Sequence, residues 1–175
     1  MLEEINSELK DYFISWQDLL ASRDDANFFA ALKPVALGWK VADKAEYDRI
    51  YSMLHDKCAT IVETWMNGRW IAKMHLKDTT LEGGITIIKL MQRRPDSTDL
   101  IGLDHVDFYT EHTDNGESVI SHEPNMTWTH ESNDVLEDYN WLSIWFDDTE
   151  AKIKNGTVLH NIIRELEITN QKILN

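Results

Sequence analysis

Gly102-Leu103-Asp104-His105-Val106-Asp107-Phe108 is the stretch on which the fold turns. Read as part of a strand over residues 101–111, it puts Leu103, His105, Asp107 and Tyr109 on one face, because strand side chains alternate. A linker, Arg93-Arg94-Pro95-Asp96-Ser97, precedes it, and upstream of that linker the chain holds a complete unit. Residues 35–42 read as a strand, and Asp43 stands as N-cap to a helix carrying Tyr47, Ile50, Tyr51, Leu54 and Cys58 on one side. Strand-like runs follow at 60–66, 69–77 and 85–91. Asn67-Gly68 joins the first two, and both residues tolerate the positive φ of a tight hairpin. The order is β-α-β-β-β.

The 101–111 strand starts a second unit of the same plan. Where its crossover helix belongs, residues 114–124 offer little more than two turns, broken by polar residues. Strands are expected at 126–130, 141–146 and 150–154, with a turn at Asp147-Asp148. An amphipathic helix over 156–174, bearing Val158, Leu159, Ile162, Ile163 and Leu166, closes the chain. At the other end Leu2, Ile5, Leu9, Tyr12, Phe13, Trp16, Leu19 and Leu20 form a helical stripe, and a short helix at 25–32 stops at Pro34. The expected fold is α+β: paired βαβββ modules at about 34–94 and 101–155, the second abbreviated, with a helical extension at 1–33.

At 175 residues and 42% hydrophobic composition the chain is long enough to bury a core. Its formal charge of -14 is unevenly spread. Residues 95–151 hold 15 acidic residues and neither Lys nor Arg, whereas the remainder is nearly balanced, with 16 acidic and 17 basic residues. Binding to a phosphate backbone needs displaced counterions, so a nucleic-acid partner is excluded and an anionic membrane surface is disfavoured. Cys58 is the only cysteine, which removes any intrachain disulfide and fits a reducing cytoplasm. No secretory leader or membrane-length apolar run is read from the sequence.

Met66-Asn67-Gly68-Arg69, Ile85-Thr86-Ile87-Ile88-Lys89-Leu90 and the 102–108 run together resemble the YecM-like branch of the vicinal oxygen chelate superfamily, over about residues 34–165. The resemblance implies modules whose curled mixed sheets enclose a cavity. In the superfamily's enzymes it further implies a divalent metal held by one His, Gln or Glu from the first and fourth strands of each module. Carried over position by position, most of that set fails. Residues 34–42 contain no such ligand, the next position is Lys89, and the second module keeps His105. The last falls near Asn155, or on Lys154 if the register slips. One good ligand of four does not hold a metal. No cofactor is therefore expected, a divalent metal being the lesser expectation.

The altered site is expected to gather Lys73, His75, Lys89, His105, Asp107, Tyr109, Trp141 and Trp145 on the cavity face. Aromatic planes beside lysines suit a flat or anionic small molecule. If the site is catalytic, His105 is the acid or base by its near-neutral titration, Asp107 orients it, and a desolvated Lys89 is a candidate for Schiff-base chemistry. The rival reading is internal satisfaction, with Asp107 paired to His105 or Lys89. His112, His122 and His130 sit beside Glu111, Glu123 and Glu131, and a solvated acidic surface is preferred there over a second metal site. Three functions follow in order. They are a metal-independent small-molecule binding or sequestering protein, an isomerase or lyase using His105, and an acidic interaction module. A homodimer is left open, since modules of this superfamily often complete their cavity across one.

Overall fold

The computed structural model describes residues 1–23, 26–66, 68–109, 126–133, 136–146 and 148–154, with side chains described for all of these but 27–28, 66, 109, 126–133, 136–142 and 154. The first unit runs β1 (Lys33–Val41), α3 (Lys44–His55), β2 (Cys58–Met66), β3 (Arg69–Leu76) and β4 (Ile87–Gln92). Helices α1 (Leu2–Ala21) and α2 (Ala26–Ala30) precede it. The second unit supplies β5 (Gly102–Tyr109), β6 (Met126–Asn133), β7 (Leu136–Phe146) and β8 (Thr149–Lys154). The expected helices at 114–124 and 156–174, and Asp147, lie outside the described residues.

Local chemistry sets the joints. Asp43 caps α3, its Oδ1 accepting from the Glu46 N–H at 2.9 Å, while Glu46 Oε2 accepts from the Ala42 N–H at 2.9 Å. Two otherwise orphaned donors are satisfied reciprocally. Gly68 turns the β2–β3 hairpin at φ 75°, a conformation that costs a side-chain-bearing residue energy.

All eight strands form one mixed sheet in the order β2-β3-β4-β1-β5-β8-β7-β6. Inside each module the first and fourth strands pair in parallel, β1 with β4 and β5 with β8. The modules meet where β1 and β5 run antiparallel. The second half thus repeats the first about a seam at the sheet's centre.

Strand alternation gives the sheet two chemically distinct faces. Leu37, Trp39, Val41, Ala72, Met74, Leu76, Ile88, Leu90, Val106, Phe108, Ile144, Ala151 and Ile153 form one core with Tyr47, Ile50 and Leu54 of α3 and Ile5, Leu9, Tyr12 and Trp16 of α1. The four α1 residues recur at three and four, so a single stripe is buried. Helix α3 contacts β1 to β4, whereas α1 contacts β5 and β7. Trp16 stacks on Phe108 with centroids 5.0 Å apart, and Tyr12 and Trp16 both reach Phe146. Among the described residues no helix is long and apolar enough to cross a membrane.

Candidate functional site

The opposite face carries the polar groups. Register aligns Lys73 with Lys89, Lys89 with Gly38, Gly38 with His105, and His105 with Glu150, in a row across five strands. One position along, Ala36 aligns with Asp107, Asp107 with Lys152, and Lys152 with Ser143. Lys40, Lys89, His105, Asp107, Ser143 and Glu150 are all buried. Polar groups at that depth must satisfy one another or serve a ligand.

The seam between β1 and β5 is irregular at its centre. Gly38 pairs with His105 but Trp39 with Leu103, so Asp104 is the extra residue of a bulge. This corrects the alternation read from the sequence: Leu103 packs against the apolar core instead of sharing the His105 face. The bulge brings Asp104 beside its neighbour, with His105 Nδ1 2.8 Å from Asp104 Oδ2. A carboxylate only accepts, so Nδ1 carries the proton and Nε2 presents its lone pair. Gly38 makes room for the ring, since a Cβ there would lie 2.4 Å from His105 Cε1. Lys40 bonds Asp99 at 2.8 Å and Asp104 at 2.6 Å, anchoring the orienting carboxylate.

Two further ion pairs flank the ring. Lys89 Nζ donates to Asp107 Oδ2. Ser143 Oγ donates to Glu150 Oε1, and Lys152 Nζ lies 3.4 Å from Glu150 Oε2. The carboxylate bonded to the His105 ring is thus Asp104, where Asp107 was expected to orient it. Asp107 Oδ1 is 3.9 Å from Nε2, beyond hydrogen-bond reach. Lys89 is engaged by a buried carboxylate, a contact that works against the neutral amine that Schiff-base chemistry requires. Nε2 of His105 is buried with no hydrogen-bond partner among the described residues.

Burial, with Lys152 and Lys89 nearby, pushes the His105 imidazolium down to about 3, against favourable contributions from Asp104 and Asp107. The near-neutral titration expected of it is thereby displaced. Burial acts on Asp104 in the opposite sense, but hydrogen bonds and charge from His105 and Lys40 outweigh it and hold this carboxyl well below its usual range. Tyr12 closes the site from beneath. Its hydroxyl donates to the Glu150 carbonyl at 3.4 Å, and burial, then Asp107 and Glu150, raises its titration well above the ordinary value.

Of the residues anticipated, Lys73, His75, Lys89, His105 and Asp107 share this face by register. Trp145 pairs with Glu150 at its rim and is exposed. The Tyr109 and Trp141 side chains are outside the described residues, as are 110–125 and the side chains of His130 and Glu131. The fourth-strand position of the second module is also corrected. Glu150 stands to His105 as Lys89 stands to Gly38, while Lys154 pairs with Tyr109 and Asn155 is not among the described residues. Asp104, Glu150 and Lys152 went unseen because a bulge and a strand register are not written in local pattern.

Set against known structures, the chain is similar to a structural-genomics protein designated EC4020, with TM-score 0.67 at 13% identity over 93% of this chain and 92% of that one. It is also similar to methylmalonyl-CoA epimerase from Mycobacterium tuberculosis, with TM-score 0.50 at 14% identity over 74% of this chain and 91% of that one. The epimerase is a member of the vicinal oxygen chelate superfamily. No protein-family profile matches the chain, and no curated protein matches it in sequence. At such identities the likeness establishes architecture: an α+β fold of vicinal-oxygen-chelate type, two four-stranded halves joined first strand to first strand. Activity has to be argued from the site itself.

Proposed function

We propose that the protein binds or sequesters a small molecule without a metal, as a YecM-like variant of this fold whose metal site is degraded. One observation carries the reading: the buried Nε2 lone pair of His105, fixed in direction by Asp104 and left without a partner among the described residues. An unmet acceptor at that depth costs energy that a ligand's hydroxyl or amide donor recovers. Lys89, Lys73 and Lys152 on the same face favour a ligand that also carries a carboxylate or phosphate. The four positions that hold a metal in the superfamily's enzymes are Gly38, Lys89, His105 and Glu150 here. One has no side chain and one is a cation, so the set does not fit a divalent ion.

The test is a thermal-shift screen with small hydroxy- and amido-carboxylates and their phosphate counterparts. A binder should raise the Tm and weaken at least tenfold in both His105→Ala and Lys89→Met. A binder indifferent to both substitutions, or a screen with no binder, overturns the reading.

The second reading is an isomerase or lyase, favoured by the Asp104–His105 arrangement that aims Nε2 as a base. A buried ring held neutral by its surroundings is a weak base, which places binding first. Exchange of a ligand C–H for deuterium in D2O, followed by NMR and lost in His105→Ala, would promote it; the absence of exchange sinks it.

A further inference from the structure

Asp104 stands between two groups able to balance its charge. Its Oδ2 accepts from His105 Nδ1 at 2.8 Å, and its Oδ1 lies 2.6 Å from Lys40 Nζ. The bulge sets Asp104 beside the ring in its own strand, while Lys40 reaches it from β1, two residues beyond Gly38. Lys40 is buried, so its ammonium depends on carboxylate partners, and the second of these is Asp99 at 2.8 Å. Asp99 lies between β4 and β5, in the segment that joins the modules, and its side chain is 45% exposed. The other charged groups around the ring are engaged elsewhere. Lys89 holds Asp107, and Ser143 and Lys152 hold Glu150, the register partner of His105 on β8. Tyr12, reaching in from α1, donates to the Glu150 carbonyl and keeps its own proton well beyond the ordinary range.

A carboxylate in this position is neutralised either by an ammonium alongside it or by a proton taken up on the imidazole it touches. The second route turns Nε2 from an acceptor into a donor. We infer that Lys40 is a positioning residue of the ligand site: clamped between Asp99 of the joining segment and Asp104 of the bulge, it supplies the positive charge that Asp104 would otherwise draw onto His105, and so keeps Nε2 an acceptor. The inference deepens the proposed function and rests on it, since Nε2 is the atom offered to the ligand there. A hydroxyl or amide donor is received at that atom, and a carboxylate is turned away from it. The Asp104 carboxyl, held well below its usual range, and the ring, held neutral, agree with this division of charge. Three contacts, from Asp99 through Lys40 and Asp104 to His105, thereby tie a half-exposed carboxylate to a buried lone pair.

The test follows the ring directly. The full chain, its histidines isotopically labelled, is titrated from neutrality to pH ~4 by nitrogen NMR, which separates protonated from unprotonated ring nitrogens; the signal missing in His105→Gln is that of His105. In wild type Nε2 should stay unprotonated across this range. In Lys40→Met the His105 midpoint should rise by about 1–3 pH units, because Asp104 is left with the ring as its contacting cation. Lys40→Arg, which keeps the charge, should follow the wild-type curve. Adding Asp104→Asn to Lys40→Met should restore that curve as well, a reversal that lost packing alone would not produce. Should Lys40→Met not fold, Lys40→Gln, which keeps a donor for the carboxylates without the charge, reads the same shift. Protonation of Nε2 in wild type near neutrality overturns the inference, and so does a folded Lys40→Met or Lys40→Gln that titrates like wild type. The titration is read on the protein alone and the thermal-shift screen on added compounds. A screen with no binder therefore removes the proposed function, and an unmoved titration removes the role of Lys40, so the two failures are distinguishable.

Discussion

His105 is a titratable group in a place that refuses its charged form. The folded-state value is depressed to about 3 by burial, then by Lys152, while in the unfolded chain the ring titrates near its ordinary value of 6.5. Between those values the unfolded state holds more protons than the folded one, so stability rises with pH there. The neutral ring's contribution is therefore fully present above pH ~6.5 and is lost as pH falls towards 3, at a slope approaching ~1.4 kcal/mol per unit. Asp104 adds in the same direction at lower pH, since its folded value also lies below its unfolded one. His105→Gln removes the titration and keeps a polar side chain. Urea midpoints between pH 7 and 4 should fall steeply in wild type and clearly less in the variant; parallel curves would mean that His105 is not held neutral by the fold.

At the scale of elements, α1 serves the second module as α3 serves the first. Its ring contacts with Phe108 and Phe146 put it over β5 and β7, in the layer where α3 covers β1 to β4. Glu8 of α1 fixes the approach by accepting from the Leu103 N–H at 2.9 Å, just where β5 enters its bulge. Trp16→Ala should cost about 3–5 kcal/mol, as for other large aromatic truncations in a core. Equilibrium unfolding measures this, and a loss below ~1 kcal/mol would make α1 an appendage. Much of this level is legible in the sequence. Alternation and the Asn67-Gly68 pair mark the strands, Asp43 marks the start of α3, and the 3.6-residue stripe marks α1. The site is legible only in part, for a physical reason. Alternation carries Lys89, His105 and Asp107 to one face, but the bulge at Asp104 breaks the parity on which the position of Leu103 was read. Glu150 joins the row only through its pairing with His105, 45 residues back in the chain by number, and short-range pattern holds no record of that register.

For the whole molecule the decisive element is the β1–β5 seam. The strongest polar constellation straddles it, with Gly38, Lys40 and Lys89 contributed by one module and Asp104, His105, Asp107 and Glu150 by the other. Neither half owns the site. In the intact chain β1 is an interior strand, paired with β4 on one side and β5 on the other. A fragment of residues 33–94 keeps β1 to β4 and the helix that covers them but turns β1 into an exposed, apolar-rich edge, a template for further pairing. Because the native seam is antiparallel, a second copy of β1 offers the same direction of approach as β5, and two fragments meeting near Gly38 would bury their edges about a two-fold axis. Without the His105 ring, Gly38 no longer has a side chain to accommodate, and the two strands are free to close on each other. The fragment should therefore elute as a dimer by light scattering and dissociate when a proline replaces Leu37, whose position lies mid-strand. A well-folded monomer would show that the first module closes its own edge, and that the seam joins two independent units instead of completing either.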